Sequence, residues 1–192
     1  MERSSIEWRK IMDKGYAAWA TQWRVPLGFS LAVAYLVFSQ PTRFLLVLGG
    51  SMALLGLVVR GWAAGFLDKN RQLTTSGPYR YSRNPLYLGS ALTGLGLATA
   101  GGSVLMMLAF AGLFLLVYVP VMFREEFFLR QKFGAAYNRY AGSVPLLLPG
   151  RRAGPASSQS FGWARYRKNR EYEAALGFAA ALAFLVLKMW LR

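Results

Sequence analysis

Residues 77–89 read GPYRYSRNPLYLG, and residues 124–149 read REEFFLRQKFGAAYNRYAGSVPLLLP. We call these the first and the second polar segment. Residues 90–123 between them carry no charged side chain and are long enough for two apolar helices joined by a tight turn at Gly101-Gly102. A helical hairpin in a membrane returns the chain to the face from which it left. The two polar segments are therefore expected to meet on one side of the membrane and form one site.

Composition also indicates a membrane protein. Hydrophobic residues make up 55% of the 192-residue chain and charged residues 16%, whereas soluble domains carry roughly 25% charged residues. We predict one membrane domain over residues 1–192, with a cofactor-binding core at about 73–149. Cysteine and histidine are absent, which excludes disulfides, thiolate nucleophiles, Cys- or His-ligated metals and Ser-His triads. Catalysis must rest on Glu, Asp, Arg, Tyr, Asn and backbone groups or on a reactive cofactor, and no metal is expected.

The formal net charge of +15 would favour nucleic-acid binding in a soluble protein. In a membrane protein, Lys and Arg accumulate in cytoplasmic loops and attract anionic headgroups. We therefore predict membrane lipids, and no nucleic acid, as partners. The first 24 residues are charged and rich in Trp, so no cleavable signal peptide is expected.

The apolar runs predict an all-α integral membrane fold with about five transmembrane helices. The runs cover residues 25–39, 44–59 with a continuation to 66, 86–100, 104–123 and 174–191. The third and fourth runs form the hairpin at about 85–123. Pro120 is expected to kink the fourth helix near its end. Gly61 and Gly65 are spaced for close packing against another helix. Residues 124–150 are expected to form a cytoplasmic amphipathic helix and a turn.

Two further stretches have the pattern of helices in the membrane interface. Residues 1–23 repeat apolar bulk at helical spacing, with Trp8, Trp19 and Trp23 among Lys and Arg residues. An interfacial helix explains this pattern, and a lid over the active site is the alternative. Residues 161–172 mix aromatic and basic residues in the same way.

The distribution of basic residues predicts the orientation. With five spans and a cytoplasmic N-terminus, all of the 23 Lys and Arg residues except Arg43, Lys188 and Arg192 lie in inner segments. Such a bias fixes orientation in membrane proteins. Both polar segments then face the cytoplasm and the C-terminus lies outside, in what we expect to be the plasma or inner membrane of a prokaryote.

Three groups of polar residues are candidates for chemistry. Glu125 and Glu126 either pair with Arg at a helix start, or one of them points to a cationic ligand or substrate donor. Arg60 either reaches the headgroups or faces the interior and pairs with a Glu. The first polar segment crowds hydrogen-bonding groups around a Gly-Pro turn and a helix start, where free backbone N–H groups bind carboxylates or phosphates. These groups belong to Tyr79, Arg80, Tyr81, Arg83, Asn84 and Tyr87.

The ordered motifs of both segments resemble the isoprenylcysteine carboxyl methyltransferase family, which also includes phospholipid methyltransferases. The motifs are Gly77-Pro78-Tyr79, Arg83-Asn84-Pro85-Leu86-Tyr87-Leu88-Gly89, Glu125-Glu126, Phe133-Gly134, Tyr137, Tyr140, Val144-Pro145 and Leu148-Pro149. The resemblance is strong over residues 73–149 and poor in residues 1–40 and 151–192. It departs at Asn84, where the family often has His, so a proton-transfer role there is lost.

The resemblance implies a membrane methyltransferase that uses S-adenosylmethionine. A methyl group would move to a lipophilic acceptor, foremost a carboxylate of an isoprenylcysteine-like or prenylated substrate, with a phospholipid amine as the alternative. The implied cofactor-binding residues are Gly77, Tyr79, Arg83, Asn84, Pro85, Tyr87, Glu125 and Glu126. For catalysis we select Arg83, Arg60 and Glu126: either Arg would hold a substrate carboxylate, and a Glu would hold the cofactor or take a proton from an amine.

Two other functions compete with this one. Some membrane sterol reductases resemble the family in their C-terminal half and use NADPH. A membrane scaffold or small transporter would explain the hydrophobicity but not the polar crowding.

Overall fold

The computed structural model describes residues 15–68, 72–150 and 158–191 of the chain. Within these ranges the protein is helical and contains no strand, which confirms the predicted all-α fold. The helices are α1 (Ala17–Phe38), α2 (Arg43–Phe66), α3 (Pro85–Ala100), α4 (Val104–Leu113), α5 (Val119–Ser143), α6 (Trp163–Lys168) and α7 (Tyr172–Trp190). A 3-10 turn, Gly77–Arg80, precedes α3, and a π-helical turn, Phe114–Tyr118, joins α4 to α5.

Among the described residues, three stretches of helix are long and apolar enough to cross a membrane: α2, the continuous helix Val104–Ser143, and α7. The integral-membrane class is thereby confirmed. The other two predicted spans are present as helices that fall short of this criterion. The 16 residues of α3 extend about 24 Å, against a hydrocarbon core of about 30 Å. α1 is long enough, but Thr21, Gln22 and Arg24 make its first half less apolar.

The outer faces of the helices expose apolar side chains that a soluble protein would bury. Phe29 on α1 is 71% exposed and Phe44 on α2 is 74% exposed. In a bilayer these surfaces contact acyl chains, and helices associate through close packing rather than through burial from water.

The α2–α3 pair is the most tightly packed part of the fold. A Cβ added to Gly96 would lie 2.4 Å from Ala53 N, and one added to Gly56 would lie 2.5 Å from Thr93 N. Small residues therefore let the two backbones touch, and this contact fixes the position of α3 relative to α2. Gly61 and Gly65, in contrast, face the C-terminal part of the chain: Gly65 accommodates the Phe161 ring, and the Tyr166 ring lies next to Gly61.

The predicted hairpin turn is present at Gly101-Gly102. Gly102 has a φ of +66°, and a Cβ there would lie 2.3 Å from Gln40 O, so glycine is required both by conformation and by space. Gln40 N donates to Gly101 O at 2.5 Å. The turn is thereby attached to the loop between α1 and α2.

The helix that follows the turn departs from α-helical geometry at two points. Pro120 lies just after the π-helical turn, and the Leu116 carbonyl, four residues earlier, accepts a hydrogen bond of 2.7 Å from Tyr16 Oη. A proline leaves such a carbonyl without its helical donor, and π turns accommodate this kind of defect. Further along, Gly134 has φ 51° and ψ −124°. This break redirects the end of α5, which carries Tyr137 and Tyr140, towards the first polar segment.

The N-terminal interfacial helix predicted over residues 1–23 lies mostly outside the described residues. Residues 17–23 form the first turns of α1. At the other end of the chain, the interfacial pattern of residues 161–172 includes the short helix α6, followed by a turn that leads into α7.

Candidate functional site

Backbone hydrogen bonds join the two polar segments. Arg83 N donates to Pro145 O at 2.9 Å, and Gly150 N donates to Tyr81 O at 2.8 Å. The chain after α5 therefore runs alongside the loop that precedes α3. The expectation that the hairpin would bring the two segments together is met.

Asn84 belongs to this junction. Its Nδ2 donates to Leu146 O at 3.1 Å, and its backbone N donates to Ser82 Oγ at 3.2 Å. Ser82 Oγ donates in turn to Leu147 O at 2.7 Å. The amide that stands where the family often has His is thus engaged with the backbone, and its side chain holds the second segment in place.

Tyr79 and Tyr140 form a second, buried connection between the segments. Tyr140 Oη donates to Tyr79 O at 2.7 Å, and both side chains are buried. Burial raises the pKa of the Tyr79 hydroxyl well above its ordinary value, and the neighbouring Tyr140, Glu171 and Glu125 raise it further. Tyr79 therefore remains protonated at neutral pH and can act as a hydrogen-bond donor but not as a base.

The charged centre of the site is a cluster formed by Arg83, Glu126 and Arg130, which we call the arginine cluster. Glu126 Oε1 accepts from Arg83 Nη1 at 2.5 Å, from Arg130 Nη2 at 2.6 Å and from Arg130 Nε at 3.2 Å. The side chains of Arg83 and Glu126 are each 11% exposed, and that of Arg130 is 38% exposed. Two guanidinium groups share one carboxylate, which leaves one positive charge uncompensated within the cluster.

The arginine cluster also has an unused donor. Among the described residues, the buried Nε of Arg83 has no hydrogen-bond partner. Buried donors are normally paired, and an uncompensated buried charge is costly. Both features fit a site that binds an anionic group such as a carboxylate.

Arg130 and Asn138 were not selected as site residues from the sequence. Arg130 Nη1 donates to Asn138 Oδ1 at 2.6 Å, and its guanidinium lies 5.5 Å from the centre of the Tyr137 ring. The spacing of four residues between Glu126 and Arg130 places both on one helix face, and this signal would have found Arg130. Nothing in the sequence indicates that Asn138 contacts Arg130, because this contact depends on the break in the helix at Gly134.

Glu125 points elsewhere than Glu126, as two adjacent helical residues must. Its Oε1 accepts from Tyr87 Oη at 3.0 Å, and this contact is exposed. The Tyr87 ring packs edge-to-face on Tyr118, with 6.2 Å between the ring centres. The Glu125–Tyr87 pair therefore offers an accessible carboxylate beside an aromatic surface.

Gly77 and Pro85 shape the first polar segment. Gly77 has a φ of +58°, and a Cβ there would lie 2.6 Å from the Phe66 ring. Pro85 is buried in the first turn of α3, where its missing N–H is not needed. Both residues set the path of the backbone around the arginine cluster.

Arg60 does not belong to the arginine cluster. Its Nε and Nη2 donate to the two carboxylate oxygens of Glu171 at 2.9 and 3.0 Å, and its Nη1 donates to Ser90 Oγ. The sequence left open whether Arg60 pairs with a Glu, and Glu171 is that residue. The alternative was that Arg60 reaches the headgroups. The separate prediction that Arg60 holds a substrate carboxylate would require a guanidinium that here pairs with Glu171 and Ser90.

An apolar groove of about 560 Å³ runs along α7, lined by residues from Phe178 to Trp190. No residue of either polar segment lines it. Since α7 faces lipid over most of its length, this groove is part of the lipid-facing surface and not of the site.

Comparison with known proteins agrees with these features. The sequence model of the phospholipid methyltransferase family matches residues 44–136, a range that includes α2, α3, the hairpin turn, Arg83 and Glu126. This family is part of the isoprenylcysteine carboxyl methyltransferase-like group of integral membrane methyltransferases, so the resemblance of the motifs is confirmed. Its methyltransferases generally use S-adenosylmethionine.

Two curated relatives are similar to this chain. The cobalt-zinc-cadmium resistance protein CzcN of Cupriavidus metallidurans is 34% identical over 134 residues, which cover 66% of this chain and 62% of the relative. The nickel-cobalt-cadmium resistance protein NccN of Alcaligenes xylosoxydans xylosoxydans is 34% identical over 107 residues, covering 54% and 47%. The chain thus spans less than two thirds of either relative, and neither name states a methyl acceptor. No solved structure matches the chain.

Proposed function

We propose that the protein is a membrane methyltransferase that transfers the methyl group of S-adenosylmethionine to a carboxylate of a lipophilic, isoprenylcysteine-like acceptor. The observation that carries the proposal is the arginine cluster. Residues from both polar segments meet there, the cluster has an excess positive charge, and Arg83 has a buried, unpaired Nε.

The residues present fit the cofactor. Its carboxylate would pair with Arg83 or Arg130, whose guanidinium groups suit carboxylates. Its ammonium group or ribose hydroxyls would contact Glu125, which is held by Tyr87. When bound, the cofactor supplies an electrophilic methyl group on a sulfonium, so a carboxylate acceptor needs no metal, thiolate or general base.

The chain's own residues then have three tasks. Glu126 orients the two guanidinium groups that bind anionic groups. Tyr79, Asn84 and Tyr140 hold the two polar segments together, and Gly77 and Pro85 set their backbone path. The apolar helices around the site exclude water and accommodate the acceptor's tail, since alignment and desolvation are what this chemistry demands of a protein.

The second candidate is N-methylation of a phospholipid amine. It is favoured by the description of the matching family and by the exposed carboxylate of Glu125, which can take a proton from an amine. The two candidates differ in the class of lipid that gains the methyl group.

Incubation of the purified protein with labelled S-adenosylmethionine and total host lipids tests both candidates. Mass analysis of the lipids should reveal an acidic lipophile that has gained one methyl group as an ester. A labelled phospholipid amine would support the second candidate instead. No labelled product with any lipid fraction would contradict a methyltransferase function.

A ligand comparison separates this proposal from an NADPH-dependent reductase. S-adenosylhomocysteine at about 100 times its dissociation constant should stabilise the protein by about 2.7 kcal/mol, and NADPH should have no effect. Stabilisation by NADPH alone would favour the reductase.

A further inference from the structure

Glu171 joins three parts of the chain through one ion pair. It lies at the start of α7, its side chain is 8% exposed, and both of its carboxylate oxygens accept from Arg60 on α2. The same guanidinium donates to Ser90 on α3. Ser90 lies one helical turn after Tyr87 on α3, so this contact is adjacent to the candidate site.

The turn before α7 is constrained so that Glu171 reaches Arg60. Arg170 has a φ of +57°, a conformation that costs free energy for a residue with a side chain and is found at sites where surrounding contacts enforce it. Asn169 fixes the other side of the turn, since its Nδ2 donates to Ala64 O at 2.9 Å and to Leu67 O at 3.0 Å. These carbonyls belong to the end of α2.

α7 has little packing of its own, since Leu185 is its only buried residue. At its far end, Lys188 Nζ donates to Leu36 O at 2.7 Å and to Val37 O at 3.0 Å, at the end of α1. Polar contacts near its two ends thus attach a helix that lipid otherwise surrounds.

The segment before α7, residues 158–171, contacts the turn of the candidate site through aromatic side chains. Phe161 fills the space above Gly65 and packs edge-to-face on Phe66, with 6.1 Å between ring centres. Phe66 in turn packs on Gly77. On the other side of the ion pair, the aliphatic part of Arg60 packs on Gly89.

We propose that Glu171 is a positioning residue, which docks α7 and residues 158–171 onto the α2–α3 pair through Arg60 and thereby keeps the Gly77–Arg80 turn in the shape that binds the cofactor. The segment is also held to the end of α2 by Gly162 N and Arg165 Nε, which both donate to Gly65 O. Loss of the ion pair would weaken this docking at its α7 end, and with it the support that the Phe161 ring gives to the Phe66 ring on Gly77. The part of the proposal that concerns ligand affinity rests on the proposed function, whereas the part that concerns the turn does not.

The experiment compares Glu171→Gln with two matched controls. Glu173→Gln removes an exposed carboxylate two residues away that pairs with Arg170, and Lys188→Met releases the far end of α7. Amide hydrogen exchange of residues 77–83 and the affinity for S-adenosylhomocysteine are measured for each protein in nanodiscs. In Glu171→Gln we expect both exchange and dissociation constant to rise about tenfold, within the usual range of coupling between two sites. In both controls, the exchange rate and the dissociation constant should stay within about twofold of the wild-type values.

Unchanged exchange of residues 77–83 in Glu171→Gln would overturn the proposal, and so would an equal rise in Lys188→Met, because the effect would then reflect general loosening of α7. Faster exchange with unchanged affinity would overturn the positioning role. If Glu171→Gln does not assemble, Arg60→Lys replaces it, since it keeps the charge but loses the two-pronged contact. Failure of the wild-type protein to bind S-adenosylhomocysteine would contradict the proposed function. The exchange data alone would then test whether Glu171 supports the Gly77–Arg80 turn.

Discussion

At Glu126, one carboxylate oxygen serves both arginines, so its loss should affect stability as well as binding. Glu126→Gln leaves two guanidinium groups without a counter-charge in a site that is mostly buried. We expect the free energy of unfolding in mixed micelles to fall by about 3 kcal/mol, the lower end of the range for breaking a buried ion pair. Turnover should fall at least about tenfold.

Glu125→Gln is the matched control for this change. It removes the neighbouring charge, which makes one exposed hydrogen bond to Tyr87, and stability should change by less than about 1 kcal/mol. An equal loss of unfolding free energy in Glu125→Gln and Glu126→Gln would contradict the assignment of Glu126 as the centre of the arginine cluster.

Tyr140 is expected to matter through its hydroxyl group. Tyr140→Phe keeps the ring but leaves the buried carbonyl of Tyr79 without its donor, which should cost about 1–3 kcal/mol of unfolding free energy. Tyr81→Phe, on a ring that is exposed, is the control and should be near neutral. Thermal unfolding of the two variants measures the difference, and a Tyr140→Phe variant as stable as the wild type would show that this connection is dispensable.

The close contact of α2 and α3 positions α3, which carries Tyr87 and Ser90, relative to α2. Gly96→Ala places a methyl group 2.4 Å from the Ala53 backbone nitrogen, and we expect a loss of about 3 kcal/mol, the upper end of the range for overpacking. A Cβ at Gly112 on α4 would meet nothing within 4 Å. Gly112→Ala should therefore be neutral or stabilising by up to about 1 kcal/mol.

Comparison of the melting temperatures of these two glycine variants checks the prediction. Because α3 carries Tyr87 and Ser90, Gly96→Ala should also weaken binding of S-adenosylhomocysteine. A Gly96→Ala protein with unchanged stability would mean that the two helices are further apart than described.

For the whole molecule, the distribution of basic residues predicts that both polar segments face the cytoplasm. The chain has no native cysteine, so single cysteines report sidedness directly. In intact cells, a membrane-impermeant maleimide should label Gln40→Cys, in the loop between α1 and α2. It should label Leu148→Cys only after permeabilisation. The reverse pattern would place the candidate site on the outer face.

The parts of this fold that the sequence predicted depend on local signals. Gly101-Gly102 and the uncharged stretch around it indicated the hairpin, and the hairpin implied that Arg83 and Glu126 lie on the same side. In the structure, Arg83 Nη1 lies 2.5 Å from Glu126 Oε1. Pro120 likewise predicted a disturbed helix, and a π-helical turn precedes it.

The parts that the sequence did not predict depend on which helices are neighbours. The sequence offered pairing of Arg60 with a Glu but did not indicate Glu171, which lies 111 residues away and follows a stretch without a recognisable motif. Asn84 was predicted to bind the cofactor, and its contact with the Leu146 carbonyl was not predicted, because only the folded chain brings that carbonyl near. Local patterns cannot reveal such long-range partners.

We propose that the two polar segments together bind S-adenosylmethionine. The most direct test is an experimental structure of the protein with bound S-adenosylhomocysteine. We predict that the ligand contacts Arg83 or Tyr87 from the first segment and Glu125, Glu126 or Arg130 from the second. A ligand bound elsewhere, or one that contacts a single segment, would contradict a site formed by both polar segments.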